Sequence, residues 1–280
     1  MSAPTATLDP RSAPPELARW LAAAAAQVDH QLERWLVVPA DDPGRLWEAM
    51  RYAALGPGKR LRPALVYAAC EAAGGARAQA DALAAAIEML HAYTLVHDDL
   101  PAMDDDDLRR GRPTVHVVFG EAIAILAGDG LLTQAFAAAG SIGAGAGAAV
   151  TVLAQRAGAG ELLAGQAIDL TTTRTTTPTL AELERLHAAK TGALFAAACQ
   201  LGAIAAGAES ARVAQLGRYG ECVGIAFQHA DDRDDGEFPE LAGAARDRTH
   251  ALCAEAAQLV AGLPASATLA AFAAWIAARA

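Results

Sequence analysis

Two acidic segments carry the chemistry that this chain could do. The first is His97-Asp98-Asp99-Leu100-Pro101-Ala102-Met103-Asp104, extended by Asp105, Asp106 and Asp107 and followed by Arg109-Arg110-Gly111. The second is Gln228-His229-Ala230-Asp231-Asp232-Arg233-Asp234-Asp235. Clustered carboxylates repel one another, so two such runs in an otherwise apolar chain suggest a shared cation. On a helix, Gln228, Asp231 and Asp235 are spaced three and four apart and share a face. A hard ion such as Mg²⁺ suits stacked oxygen ligands and leaves positions for water or phosphate oxygens. The bland alternatives are a solvated helix end for the second run and an acidic surface loop for the first. The loop reading accounts for Asp105 to Asp107, but not for an apolar helix that ends in His-Asp-Asp and meets a run of arginines. His91 lies seven residues before Asp98, two turns back on the same face, as a cavity residue or a satisfied core histidine.

Two basic elements accompany the acids. Gly58-Lys59-Arg60-Leu61-Arg62-Pro63 places three cations in four residues behind a Gly-Pro-Gly turn, a compact cradle for an anion. Lys190-Thr191-Gly192 puts one lysine in a long apolar stretch, where desolvation calls for an anionic or dipolar partner.

The elements that must position these residues read as helices. Apolar residues make up 54% of the 280, aromatics only 5%, and alanine and leucine dominate. No strand-like alternation stands beside a turn dipeptide, so the chain reads as all-α. Helices are expected over 16–38, 45–55, 63–73, 79–100, 121–139, 148–170, 180–189, 193–206, 211–235, 244–261 and 268–279, with a loop at 171–178. Residues 1–15 read as a disordered leader and 16–280 as one domain. Helices apolar nearly all round must bury against one another or against another subunit, which predicts a single-domain bundle of long antiparallel helices around a deep central cavity, as a homodimer.

The net charge of −10 argues against a nucleic-acid surface. The uncharged stretch 130–155 has a glycine-rich middle and reads as two buried helices around a turn, with no membrane span. Cys70, Cys199, Cys222 and Cys253 show no ligand spacing and read as reduced thiols of a cytoplasmic protein.

Jointly, these motifs resemble the trans-prenyltransferases, the polyprenyl (isoprenyl) diphosphate synthases, with wording closest to bacterial short-chain farnesyl diphosphate synthases. Gly56 to Pro63 resembles the family's GGKRLRP block. His91 to Asp104 resembles its first aspartate-rich motif, and Gly165-Gln166-Ala167-Ile168-Asp169-Leu170 its GQxxDL block. Lys190-Thr191-Gly192 and Gln228 to Asp235 resemble its KTG and second aspartate-rich motifs. The resemblance runs in order over residues 16–236.

The resemblance implies an isoprenoid synthase-like fold and Mg²⁺-dependent head-to-tail condensation of isopentenyl diphosphate with an allylic diphosphate. It implies about three Mg²⁺ per site, on Asp98, Asp104 and Asp231, with Asp99, Asp232 and Asp235 in support. Lys59, Arg62, His91 and Arg110 match positions for isopentenyl diphosphate, and Arg109 one for the allylic partner. Lys190, Thr191 and Gln228 match positions that grip the leaving group or turn dipoles toward the allylic cation, and the released pyrophosphate takes the final proton. Tyr93 matches the floor under the growing tail, about 7.5 Å deeper than Asp98, with Thr94 about 6 Å deeper. An aromatic floor resembles producers of C15 farnesyl diphosphate; the alternatives are a C20 geranylgeranyl diphosphate synthase and a non-catalytic partner subunit. One departure is the segment after Asp235, where the family carries a lid lysine and this chain has none; Arg246 and Arg248 are the replacements on offer.

Overall fold

The computed structural model describes residues 8–171 and 178–280. Thirteen α-helices are named here: α1 (Pro15–Trp35), α2 (Leu46–Ala54), α3 (Leu61–Ala72), α4 (Asp81–Asp98), α5 (Val115–Phe119), α6 (Glu121–Gly140), α7 (Ala146–Ala157), α8 (Leu162–Thr171), α9 (Leu180–His187), α10 (Ala193–Ala205), α11 (Ser210–Asp234), α12 (Ala242–Val260) and α13 (Ala267–Ala277). Helices α4 and α10 form the middle of the bundle. Residues 83–90 of α4 and 193–199 of α10 are buried on every side. Alanine and glycine make this possible with few aromatics: at Gly220 of α11, a Cβ would run into the backbone of α10 at Phe195. Helix α4 packs along α6, and α10 lies between α3 and α11.

Helix α6 and the stretch Leu180–Ala205 have the length and apolarity of membrane-crossing helices. Both are built into the bundle; α6 keeps one apolar face outward, and Leu180–Ala205 is mostly interior.

The helical reading holds with local differences. The helix expected over 148–170 is two, α7 and α8, divided at Gly158, where the chain turns extended (ψ −172°). A two-stranded hairpin, β1 (Leu108–Arg109) with β2 (Arg112–Pro113), was not foreseen because each strand has only two residues. Its loop, Arg110-Gly111, has positive φ at both positions (54° and 77°), as a tight hairpin turn demands. Helices α9 and α10 are joined without a break by a π-turn at Ala188–Gly192. Of the leader expected at 1–15, residues 1–7 lie outside the described residues. Residues 8–14 pack on the body: Leu8 is fully buried, and Asp9 caps a 3₁₀ turn at Pro10–Ser12. The loop expected at 171–178 falls mostly on 172–177, also outside them.

Candidate functional site

The first acidic motif is shaped by the end of α4. Pro101 stops the helix, and the chain doubles back so that the Asp104 amide donates to the Asp98 carbonyl at 2.9 Å. Burial, with Asp104 and Asp99 nearby, pushes the Asp98 carboxyl up to about 6, against the pull of Lys190. Asp99 is spoken for: Arg109 Nε donates to its Oδ1 at 2.5 Å, while Arg109 Nη2 reaches Asp106 at 3.2 Å. Asp104 stays exposed.

The second motif ends α11 in the same pattern. Burial, then the neighbouring Asp235, Asp232 and Asp234, pushes Asp231 up to about 6, with Lys59 pulling the other way. Asp232 is tied back into the body. Gln228 Nε2 donates to its Oδ1 at 2.7 Å, and His187 Nε2 lies 2.9 Å from its Oδ2. Burial raises the Asp232 carboxyl, yet these two partners outweigh it and hold the group below the usual range. Thr191 Oγ1 donates to Gln228 Oε1 at 2.8 Å, which links the KTG segment to this motif. Lys190 sits in the π-turn, a device common at functional sites, with Nζ 2.5 Å from Asp169 Oδ2.

The basic patch is smaller than its sequence suggests. Arg60 turns inward to Asp29 (2.8 Å) and the buried Glu88 (2.6 Å), so it leaves the cradle expected from Gly58 to Pro63. Lys59 and Arg62 remain. Lys59 Nζ sits 5.4 Å above the Phe227 ring and Arg62 above Phe195 at 5.2 Å. Arg62 Nη1 is 3.2 Å from His91 Nε2, and its buried Nε has no partner among the described residues. Burial pushes Arg62 down to about 10. Burial and the positive charges of Arg62 and Arg110 drive His91 well below its usual value, so its ring is neutral and accepts from Arg62. Arg110 reaches back from the hairpin to the Pro57 carbonyl at 2.6 Å. Beside it, a cleft opens between α2, α4 and the hairpin, lined in part by Tyr52, Ala92, Val96, Asp99, Arg109 and Arg110.

Tyr93 is 5% exposed, and Thr94 turns its hydroxyl to the His91 carbonyl at 2.8 Å. Arg248 Nε donates to Glu184 at 2.8 Å, the carboxylate that also lies 3.8 Å from His229 of the second motif, and Arg246 pairs with Asp247 at 3.6 Å, so both are engaged by carboxylates outside the aspartate-rich runs.

Whether a metal fits is a question of donors. No three His, Cys, Asp or Glu side chains converge into a closed metal shell among the described residues. The open carboxylates are Asp98 with Asp104 and Asp231 with Asp235, since Asp99 and Asp232 are tied back. All-oxygen, mutually repelling and partly buried, this donor set fits a hard divalent ion that takes its remaining ligands from water and substrate.

Several participants escaped the sequence reading. His187 lies three before Lys190 and so shares its side of the helix; that spacing was the available signal. Asp169 was named within the GQxxDL block, but its pairing with Lys190 was missed, and Glu88 is a single charge between Ile87 and Met89 that needed a partner.

The helical bundle, two aspartate-rich helix ends and basic turn define a class that the comparisons identify. Residues 43–237 match the polyprenyl synthetase family. The farnesyl diphosphate synthase of Escherichia coli is 46% identical over 223 residues, 76% of this chain and 73% of that protein. A chloroplastic geranylgeranyl pyrophosphate synthase of Capsicum annuum is 44% identical over 213 residues, 74% of this chain. That match covers 57% of the plant protein, so the chain spans little more than half the length of such relatives. The apo structure of an FPP/GFPP synthase from Zymomonas mobilis superposes with a TM-score of 0.86 at 38% identity, covering 94% of this chain and 99% of that one. This chain belongs to the polyprenyl synthetase family.

Proposed function

We propose that this chain is a prenyltransferase that joins isopentenyl diphosphate to dimethylallyl and then geranyl diphosphate, giving farnesyl diphosphate and pyrophosphate. The carrying observation is the division of the site. Lys59, Arg62, the neutral His91 and Arg110 offer direct, metal-free cation and hydrogen-bond contacts, while two separate pairs of open carboxylates stand at the ends of α4 and α11, with Lys190 acting on Asp98 and Lys59 on Asp231. The first set suits a diphosphate that must be held without being ionised. The second suits one that must leave.

When bound, Mg²⁺ (about three ions) would neutralise charge building on the departing diphosphate. Asp98 and Asp104 on one side, and Asp231 with Asp235 on the other, would hold it, with Asp99 and Asp232 as anchored supports. Lys190 and Arg109 add positive charge toward the allylic diphosphate. Thr191 and Gln228 orient oxygen dipoles toward the carbon that turns cationic as its C–O bond breaks. The homoallylic double bond attacks that carbon, and the released pyrophosphate takes the proton whose loss forms the new double bond. The apolar walls of α4 and α10 exclude water from the cation.

Tyr93 supports a C15 product as an aromatic floor beneath the growing tail. The plant relatives and the Zymomonas protein keep longer products as the rival reading. A non-catalytic partner subunit is disfavoured, since both acidic motifs and both basic elements are intact. Four buried free thiols support a cytoplasmic location. Val117, Val118, Ile125 and Leu126 expose an apolar face on α5 and α6, which supports a homodimer; sedimentation of Leu126→Glu should then show a monomer, and a wild-type monomer refutes it.

The deciding experiment incubates the purified chain with Mg²⁺, isopentenyl diphosphate and C5, C10 or C15 primers, and sizes the products. C15 should accumulate from the two shorter primers. Efficient extension of the C15 primer would make it a geranylgeranyl producer, and no consumption of isopentenyl diphosphate with any primer would refute the enzyme reading.

A further inference from the structure

We propose that His97 is a positioning residue for product length: it braces the Tyr93 ring and fixes the depth of the floor. The inference rests on reading Tyr93 as that floor. The two residues are one turn apart on α4, and their rings meet edge to face, with centroids 5.6 Å apart and planes at 86°.

The His97 ring is itself held from the far side. Its Nε2 donates to the Ile125 carbonyl of α6 at 3.0 Å, with Asp129 4.0 Å away. Beneath the ring, α6 presents Gly128, where any Cβ would overlap the imidazole. The ring therefore occupies a notch between α4 and α6 and cannot swing out without losing its hydrogen bond and emptying that notch.

Tyr93 has no comparable polar anchor. Its hydroxyl makes no hydrogen bond to the protein among the described residues, so the ring's orientation depends on what packs against it. His97 is the one aromatic partner recorded for it among those residues. Removing the imidazole opens room beside Tyr93, lets its ring turn aside and admits a longer tail. An edge-to-face contact changes a conformational equilibrium by about twofold to tenfold, and the C20 to C15 ratio should move by that factor.

The test uses the full chain with Mg²⁺, isopentenyl diphosphate and geranyl diphosphate, reading the C20 to C15 ratio, which is independent of total turnover. His97→Ala should raise the ratio by that factor. His97→Phe, which restores a ring edge, should bring it back toward wild type. Tyr93→Ala should lengthen products, and adding His97→Ala to it should lengthen them no further. Gly128→Ala, which presses on the same ring from α6 while leaving His97 in place, should also shift the ratio. A wild-type ratio in folded His97→Ala or Gly128→Ala, with Tyr93→Ala lengthening products, overturns the brace alone. A wild-type ratio in Tyr93→Ala overturns the floor reading and the brace with it.

Discussion

Replacing Arg60 should damage the fold and spare the chemistry. Its neighbour Arg62 looks identical in sequence, yet Arg60 is 7% exposed and starts α3 in the left-handed region (φ 49°). That backbone turn sends the side chain inward, where Nη1 meets Glu88 at 2.6 Å, Nε meets Asp29 at 2.8 Å and Nη2 meets the Gly56 carbonyl at 3.0 Å. Glu88 is 4% exposed, in the all-buried part of α4. Arg60→Met would remove the one cation bonded to that carboxylate, leaving only the charges of Arg62 and Arg110 near it, a loss of up to about 3–5 kcal/mol for a broken buried pair. The half-exposed Asp29 adds at most about 1 kcal/mol. Against a total stability of about 5–15 kcal/mol, this is a large share. Urea denaturation followed by circular dichroism measures the loss. Glu88→Leu added to Arg60→Met should recover most of it, because the pair is then replaced by apolar groups rather than broken. KM for isopentenyl diphosphate in the folded fraction should stay near wild type. A loss under about 1 kcal/mol, or no recovery in the double variant, refutes the buried-pair account. A large rise in KM without a loss of stability would return Arg60 to the anion cradle.

Arg62→Met should do the reverse. Burial depresses Arg62 to about 10 in the folded chain, so below that pH its charge is held at a cost to stability. The variant should gain about 1 kcal/mol, or about 2–4 °C in Tm, while losing affinity for isopentenyl diphosphate; an unchanged KM removes Arg62 from the site. Asp98→Asn and Asp231→Asn test the acidic pairs. Both carboxyls rise from 3.8 to about 6 on folding, so the folded state favours their protonated forms, and the cost of charging them appears between pH 4 and 6 and is complete above it. Without metal, each variant should melt higher than wild type at pH 7.5, by at most about 3 kcal/mol, with the gain fading by pH 4. Turnover should be lost, and Mg²⁺ with pyrophosphate should raise the wild-type melting temperature but not the variants'. Equal melting at both pH values would show that these carboxylates are not strained by burial.

The motifs were legible because their chemistry is written in residue types: repelling aspartates need a cation, and a lysine in an alanine helix needs an anion. What could not be read was what ties Asp99 and Asp232, the supporting members of each motif, back into the body. Asp98 and Asp99 are equivalent in sequence, and the fold separates them by giving Asp99 to Arg109. Asp231 and Asp232 are divided likewise by His187, whose distance along the chain hid the contact. Arg60 and Arg62 differ because the first stands in the left-handed turn before α3 and the second inside the helix. The helix pattern was plain where alanine and leucine run unbroken, as in α4 and α10. It failed where Gly158 splits α7 from α8, and at the hairpin, whose strands are too short to show a period.

The π-turn that carries Lys190 and Thr191 has a consequence for how this helix can vary. It holds one more residue than an α-helical path of the same rise would need, so the segments on either side keep a fixed rotational phase. Losing a single residue there would wind the turn back to regular pitch with little rotation of the helices on either side, but the residues inside the turn would be displaced about the helix axis by up to about 100°. Lys190 would then leave Asp169, and Thr191 would leave Gln228, although no functional side chain had been altered. The length of this stretch is thus as much a part of the site as its composition, and substitutions are its tolerable form of change where insertions and deletions are not.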